Sequence, residues 1–101
     1  MPSYKFSRRD RNHTEIVREL REYPGIGVIE LHAVGRNCPD ILVAYGRVNY
    51  LIELKSHKGK LTDGQQLFFE TWPGQVAKCE TVAEILNLIE YGKPRKVRVL
   101  A

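Results

Sequence analysis

The sequence predicts an α/β domain in which a mixed central sheet is flanked by helices. Apolar residues recur at helical spacing in separate segments, and strand-like apolar runs lie between those segments. Breaks containing glycine or proline separate the runs at short intervals, as expected for packed helices and strands. With 101 residues, the chain has the length of one domain, so residues 1–101 are expected to share one core.

Apolar spacing and capping residues predict three helices. Thr62 and Thr81 stand where N-caps are expected, because a threonine side chain accepts a hydrogen bond from the first helical turn. In the second helix, Leu67 and Phe68 are expected to face inward. The predicted helix ranges are about 10–23, 63–71 and 82–91.

Strand-like runs fill the intervals between the helices. The central pair, 41–45 and 48–55, is joined by a two-residue Gly-Arg connection that is typical of a hairpin. If this connection is the whole loop, Asp40 lies opposite Glu53 and both side chains project from the same side of the sheet. A slip of one residue would separate them, so the register is an assumption to be tested. Further strands are predicted at 28–34, at 75–79 and, as an edge strand or a tail, at 96–100.

Composition argues against several classes of protein. The chain is 43% apolar and 28% charged, as in folded globular domains. No apolar run approaches the roughly 20 residues that span a bilayer, and the basic N-terminus has no signal-like apolar segment. We therefore expect a cytoplasmic protein with no membrane partner. Cys38 and Cys79 form no CxxC pair and are expected to be free thiols.

The positive charge is concentrated in one part of the chain. Residues 1–60 carry eleven Lys and Arg against seven Asp and Glu, whereas residues 61–101 carry five of each kind. A basic surface favours a polyanion such as nucleic acid, because binding neutralises phosphates and releases counterions. Many small proteins are mildly basic without such a partner, so charge leaves both interpretations open.

The residues that carry chemistry lie at the ends of the central strands. Because side chains alternate along a strand, Glu53 and Lys55 share one face while Leu54 packs on the other. Asp40 and Glu53, with the Leu54 backbone carbonyl, would offer hard oxygen ligands to Mg²⁺, with Mn²⁺ as a substitute. Lys55 could then stabilise negative charge that develops on phosphorus. The alternative is a surface ion pair beside an ordinary Pro-Asp turn, but the apolar neighbours favour a site.

The series Pro39-Asp40 followed by Glu53-Leu54-Lys55 resembles the PD-(D/E)xK nuclease superfamily. Residues 12–22, 34–55 and 59–76 are similar to the small stand-alone VRR-NUC domains of phages and bacteria, over about half of the chain. The resemblance implies a restriction-endonuclease-like core and a Mg²⁺-dependent endonuclease. It also implies a homodimer that cuts branched DNA such as four-way (Holliday) junctions, with no small-molecule cofactor. The chain departs from the pattern at Asn37-Cys38, where small residues, often glycine, are expected.

The resemblance implies roles for two more residues. Glu15 corresponds to a helical acid that helps to hold the metal, although its sequence context equally suits a solvated residue paired with Arg18. Gln65 corresponds to a glutamine whose amide holds the attacking water or a phosphate oxygen, although a surface glutamine is the simpler alternative. The implied catalytic set is Asp40, Glu53, Lys55, Gln65 and Glu15.

Contacts to DNA are expected from basic residues near the site. Lys58 and Lys60 follow the catalytic strand, and Gly59 between them lets the backbone approach a phosphate closely. A solvated basic loop is an equal alternative. His57 and Arg36 are further candidates. Residues 1–9 are expected to form a basic N-terminal arm, and the candidates there and just after it are Arg8, Arg9 and Arg11.

Other functions and surfaces remain open from sequence. A DNA-binding module that keeps the nuclease fold but does not cleave is the main alternative, and a scaffold with a structural ion-pair network is a third. If the chain dimerises, the expected contacts are Phe69, Trp72 or the segment 96–100.

Overall fold

The computed structural model describes residues 8–94, with side chains from residue 12 onward. Its four strands form one mixed sheet in the order β1-β2-β3-β4, in which β1, β2 and β3 are antiparallel and β4 runs parallel to β3. The elements are α1 Arg8–Arg21, β1 Gly27–Glu30, β2 Ile41–Tyr45, β3 Val48–Leu54, α2 Asp63–Thr71, β4 Val76–Cys79 and α3 Val82–Leu88. The predicted α/β domain with a mixed sheet flanked by helices is confirmed at this level.

The β2–β3 hairpin has the predicted register. Gly46 and Arg47 have φ angles of 60° and 68°, and positive φ at both turn positions matches the twist of the flanking strands. Tyr45 pairs with Val48 at the turn, and the pairing continues without a slip to the far end of β2. Extended by one residue beyond the Ile41–Ile52 pair, this register places Asp40 opposite Glu53.

The core lies on the face of the sheet that packs against α1 and α3. Tyr50, Ile52 and Leu54 alternate along β3 toward this core, and none of them is more than 4% exposed. The helices supply the other side of the cluster through Ile16, Val17, Leu20, Ile85 and Ile89. The opposite face of β3 therefore carries Glu53 and Lys55, because neighbouring side chains on a strand alternate.

β1 is shorter than predicted, since it ends at Glu30 rather than at residue 34. The Leu31 N–H still donates to the Asp40 carbonyl at 2.8 Å, but the Val34 N–H already closes a turn onto the Leu31 carbonyl at 2.9 Å. β2 begins only at Ile41, so no partner strand extends the ladder beyond this point. The alternation in 28–34 was therefore misleading over its second half.

Two helix ends also differ from expectation. α1 begins at Arg8, so the backbones of Arg8 and Arg9 are helical and do not belong to an arm. α3 ends at Leu88, earlier than predicted, and Glu90 follows with a φ of 56°. Residues 1–7 of the predicted arm and the predicted segment 96–100 lie outside the described residues. Within 8–94, no helix is long and apolar enough to cross a bilayer.

α2 has the predicted bounds but an unexpected environment. Thr62 is its N-cap, as predicted. No residue of α2 is buried, and Leu67 is 60% exposed, so the prediction that this leucine faces inward is wrong. Phe68, which is half-buried, stacks on Trp72 with ring centroids 5.2 Å apart. The helix therefore presents apolar side chains that the described part of the chain does not cover.

Both cysteines are free thiols, as predicted, and Cys79 gives the fold a testable pH dependence. Burial, together with the negative charge of Glu84, raises the pKa of Cys79 from 9.0 to about 11. The neutral thiol is favoured in the folded state, so its contribution to stability is present below about pH 9 and is lost as the pH rises through about 11. Between these pH values, we expect the free energy of unfolding to fall by about 2 kcal/mol more in the wild type than in Cys79→Ala. Urea denaturation under reducing conditions measures the difference, and parallel declines would contradict the assignment.

Candidate active site

Glu53 is the most buried charged residue described, with 1% exposure near the end of β3. A carboxylate in such a position needs partners, because burial removes its hydration. Lys55, two residues further along the same face, places its Nζ 3.7 Å from Glu53 Oε2 and is itself only 7% exposed. Gln65 of α2 donates from Nε2 to the same oxygen at 3.1 Å. A cation and an amide thus converge on one oxygen and orient the carboxylate.

The N-cap of α2 fixes the orientation of the Gln65 side chain. Its Oε1 accepts a hydrogen bond from the Thr62 N–H at 2.9 Å, while the Gln65 N–H donates to Thr62 Oγ1 at 3.2 Å. This reciprocal pair is a capping box. Because the Thr62 N–H can only donate, the amide oxygen must face it, and the amide NH₂ group is directed to Glu53. One side chain therefore caps a helix and contacts the candidate site.

Asp40 reaches the same end of β3 through the backbone. Its Oδ2 accepts a hydrogen bond from the Leu54 N–H at 2.8 Å, and among the described residues no donor bonds to Oδ1. The N–H and the carbonyl of a strand residue point to the same side of that strand. The Leu54 carbonyl therefore points toward the side on which Asp40 lies, as a shared metal site would require.

Cys38 lies beside Pro39 in the turn before Asp40. Burial is the larger cause that raises the pKa of its thiol, and the negative charges of Glu53 and Asp40 raise it further. The hairpin register and the hydrogen bond from the Leu54 N–H to Asp40 Oδ2 place Asp40 at the end of β3 that carries Glu53.

The turn before Pro39 has a backbone conformation that suits an asparagine at position 37. Gly35, Arg36 and Asn37 have φ angles of 75°, 57° and 63°, so three successive residues are left-handed. Asparagine adopts this conformation more readily than most residues, which suits it to a position where glycine was expected. A Cβ on Gly64 would lie 2.6 Å from the Asn37 amide atoms, so Asn37 packs directly against the first turn of α2.

Glu15 is not gathered with these residues. It is exposed on α1 and lines a surface groove with Arg18 and Glu19. In residues 8–94, no group of three or more His, Cys, Asp or Glu residues is arranged to hold a metal ion. The described oxygen donors are therefore the Asp40 and Glu53 carboxylates and the Leu54 carbonyl, a hard set that fits Mg²⁺ or Mn²⁺. A role for Glu15 stays a prediction.

The basic residues predicted to contact DNA are placed differently from one another. Lys58, Lys60 and Arg36 are exposed. His57 is also exposed, and its Nδ1 lies 3.6 Å from Glu80 Oε2. The side chains of Arg8, Arg9 and Arg11 lie outside the described residues.

Sequence reasoning missed Lys78. In the parallel pairing of β3 with β4, Lys78 is the direct neighbour of Glu53, so the two side chains share one face of the sheet. Its Nζ donates to the Gly59 carbonyl at 3.2 Å and so reaches the basic loop after β3. A lone lysine in a short apolar strand was the available signal, but its meaning depends on a parallel register that no local pattern reveals.

The contact between Gln65 and Glu53 can be tested by a charge change that keeps the helix cap. Gln65→Glu retains a side chain suited to the capping box but places a second carboxylate against Glu53. At pH 7 we expect the free energy of unfolding to fall by about 1–3 kcal/mol. The loss should shrink toward about pH 4, where protonation of one carboxylate relieves the repulsion.

Gln66→Glu is the matched control. Gln66 Nε2 donates to Glu70 Oε2 at 3.1 Å on the exposed side of the same helix. The same substitution there creates an exposed like-charge pair, which costs only about 0.2–0.5 kcal/mol. Equal losses in the two variants, measured by urea denaturation, would show that Gln65 has no special partner.

Comparisons of the chain with protein-family models, curated proteins and solved structures found no match. A function for this chain is therefore argued from the chemistry that the residues around Glu53 can perform.

Proposed function

We propose that the protein is a Mg²⁺-dependent endonuclease that hydrolyses phosphodiester bonds in DNA, built on a restriction-endonuclease-like core of the VRR-NUC type. The observation that carries the proposal is the buried carboxylate of Glu53, which Lys55 and Gln65 orient beside Asp40. Buried charges are costly to maintain, and groups of them near the end of a sheet are typical of catalytic sites. The mixed sheet flanked by helices is compatible with the proposed core.

The oxygen donors at the end of β3 define the proposed metal ligands. Asp40, Glu53 and the Leu54 carbonyl would hold Mg²⁺, with Mn²⁺ as a substitute, and we propose that Glu15 assists. When bound, such an ion polarises a phosphoryl oxygen and lowers the pKa of a coordinated water. Asp40 is suited to this task because its Oδ2 is anchored on the Leu54 N–H, which fixes the direction of Oδ1.

Lys55 and Gln65 are proposed to act on the substrate phosphate and the attacking water. The Lys55 ammonium has three N–H donors, so it can face Glu53 and also stabilise a non-bridging phosphate oxygen as charge develops there. The Gln65 amide has two N–H donors, of which one is directed to Glu53. The second N–H donor can hold a water or a phosphate oxygen beside Glu53.

DNA is the proposed partner, and branched DNA such as a four-way junction the proposed substrate. Lys58, Lys60, Arg36 and His57 would contact phosphates near the site, and Arg8, Arg9 and Arg11 would extend the basic surface. Phosphate contacts position a protein without reading sequence, so recognition by DNA shape is expected. We place this activity in the cytoplasm of a bacterial or phage-infected cell.

Cleavage assays test the proposed activity directly. Labelled four-way junctions and linear duplexes of the same sequence are incubated with Mg²⁺, Mn²⁺ or EDTA. We expect metal-dependent cutting, with the junction preferred, and a loss of at least about 100-fold in rate for Glu53→Gln, because a group that organises the reacting centre is removed. Glu70→Gln, which changes an exposed acid on α2, is the control and should cut normally.

Two outcomes would overturn the proposed activity. Cutting that persists in Glu53→Gln would mean that the chemistry lies elsewhere or comes from a contaminant. No cutting of either substrate with Mg²⁺ or Mn²⁺ would exclude the enzyme for these substrates. If binding persisted in that case, the alternative of a non-cleaving DNA-binding module would be favoured.

We also propose a homodimer that uses exposed apolar side chains of α2 and of Trp72, which follows the helix. Leu67 and Trp72 are 60% and 45% exposed, and Phe68 stacks on Trp72. Phe69 is half-buried on the same helix. Exposed aromatic groups of this kind are enriched at protein interfaces. A dimer would present two sites to two DNA strands.

Sedimentation equilibrium tests the dimer. We expect the wild type to have the mass of two chains and Trp72→Glu to have the mass of one, because a charge at this aromatic position would lose its hydration in an interface. Ile29→Glu is the control, since Ile29 is 56% exposed on β1 and should not affect assembly. A monomeric wild type, or dissociation by Ile29→Glu alone, would contradict this interface.

A further inference from the structure

A cavity of about 470 Å³ opens at the C-terminal ends of the parallel strands β3 and β4. It adjoins the candidate active site, because Lys55, whose ammonium contacts Glu53, is one of its lining residues. In open α/β sheets, ligands commonly bind beyond the carboxyl ends of the strands. The charged side chains of its lining are Lys55, Lys58, Lys60, Lys78, Glu80 and Glu84.

The two acidic residues of the lining are engaged by groups of the protein itself. Glu84 Oε1 accepts hydrogen bonds from the backbone N–H groups of Glu80 and Thr81 at the start of α3. Glu80 Oε2 lies 3.6 Å from His57 Nδ1. With Lys55 paired to Glu53, the three remaining lysines still outnumber the two acids, so the cavity has a net positive charge.

Lys58 and Lys60 belong to a loop that is held by backbone and side-chain contacts. Lys58 has a φ of 71°, a conformation that a lysine rarely adopts without tertiary support. A Cβ on Gly59 would lie 2.9 Å from the Ser56 carbonyl oxygen, and the Gly59 N–H donates to that oxygen at 2.7 Å. Lys78 holds the same loop from β4 by donating to the Gly59 carbonyl at 3.2 Å.

Lys78 connects the cavity with the active site. It is the parallel neighbour of Glu53, and one hydrogen bond to Gly59 leaves two of its three N–H donors for a ligand. Lys58 and Lys60, on either side of Gly59, are exposed and belong to the same lining. Several ammonium groups around a space of this size suit a phosphate, which lysine binds as a point charge.

We propose that this cavity binds a phosphate of the DNA backbone adjacent to the phosphate that is cut, with Lys78 and Lys58 as its ligands. The identity of the DNA and the place of the cut phosphate rest on the proposed function. Binding of a phosphate group in the cavity does not, because it depends on the lysines and the loop alone. A backbone phosphate held there would fix the position of the strand over Glu53.

DNA binding without cleavage tests the proposal. Fluorescence anisotropy of a labelled duplex in EDTA gives the dissociation constant at several salt concentrations. Lys78→Gln and Lys58→Gln should each weaken binding by about 5- to 10-fold and lower the salt-dependence slope by about 1, as expected for one lost phosphate contact. Lys78→Arg should restore both values. Lys93→Gln is the control, because that exposed lysine follows Gly92, whose N–H donates to Tyr45 OH at the hairpin end of the sheet.

The dissociation constant and the salt-dependence slope together distinguish a lysine that binds phosphate from a lysine that only supports the fold. If Lys78→Gln loses affinity without a change in slope, or changes neither value, the proposal is wrong. Because EDTA removes metal, a failure here leaves the cleavage result for Glu53→Gln standing. Conversely, if the protein does not cut DNA but its variants show the predicted salt-dependence slopes, the phosphate site is supported and the proposed nuclease activity is not.

Amide chemical shifts of Gly59 and Lys78 separate the two sources of phosphate. Inorganic phosphate and duplex DNA are each titrated into the ¹⁵N-labelled protein. Shifts with both ligands, or with DNA alone, would support a phosphate pocket, and the second pattern would show that the DNA backbone is needed for binding. No shift with either ligand would overturn the proposal.

Discussion

The carboxylate of Glu53 has lost almost all contact with water, and its neighbours are arranged to compensate for that loss. Strand alternation supplies Lys55 on the same face, while the capped end of α2 supplies the Gln65 amide. Neither partner comes from the hydrophobic core, which lies on the other side of the sheet. The register of β3 and the position of α2 both have to be correct for this one charge to be stable.

This requirement explains how α2 is attached. No residue of α2 is fully buried, so the hydrophobic contribution to its attachment is limited and polar contacts add to it. Gln65 bonds to Glu53, and Asn37 packs against Gly64 one residue earlier. The left-handed turn that carries Asn37 leads directly into Pro39-Asp40. The loop that delivers one carboxylate therefore also supports the helix that orients the other.

Much of this could be predicted from the sequence, since the relevant signals are local. The Gly46-Arg47 turn defined the hairpin register, and with it the position of Asp40 opposite Glu53. The exposure of Leu67 was mispredicted, because helical periodicity shows which residues share a face but not whether anything covers that face. Lys78 was missed for a similar reason, since parallel pairing joins segments distant in sequence. The proximity of Gln65 to Glu53 was implied by the family resemblance, and its physical cause, the shared capping box, required the structure.

The proposed activity depends on a cation site formed by Asp40, Glu53 and the Leu54 carbonyl. The most direct measurement is paramagnetic broadening of ¹⁵N-amide signals as Mn²⁺ is added at less than one equivalent, with Mg²⁺ as competitor. We expect the amides of Asp40, Leu54 and Lys55 to broaden first, and the broadening to be reversed by excess Mg²⁺ and to disappear in Glu53→Gln. Broadening that begins instead near Glu19 on the exposed face of α1, or that is unaffected by Glu53→Gln, would contradict the account.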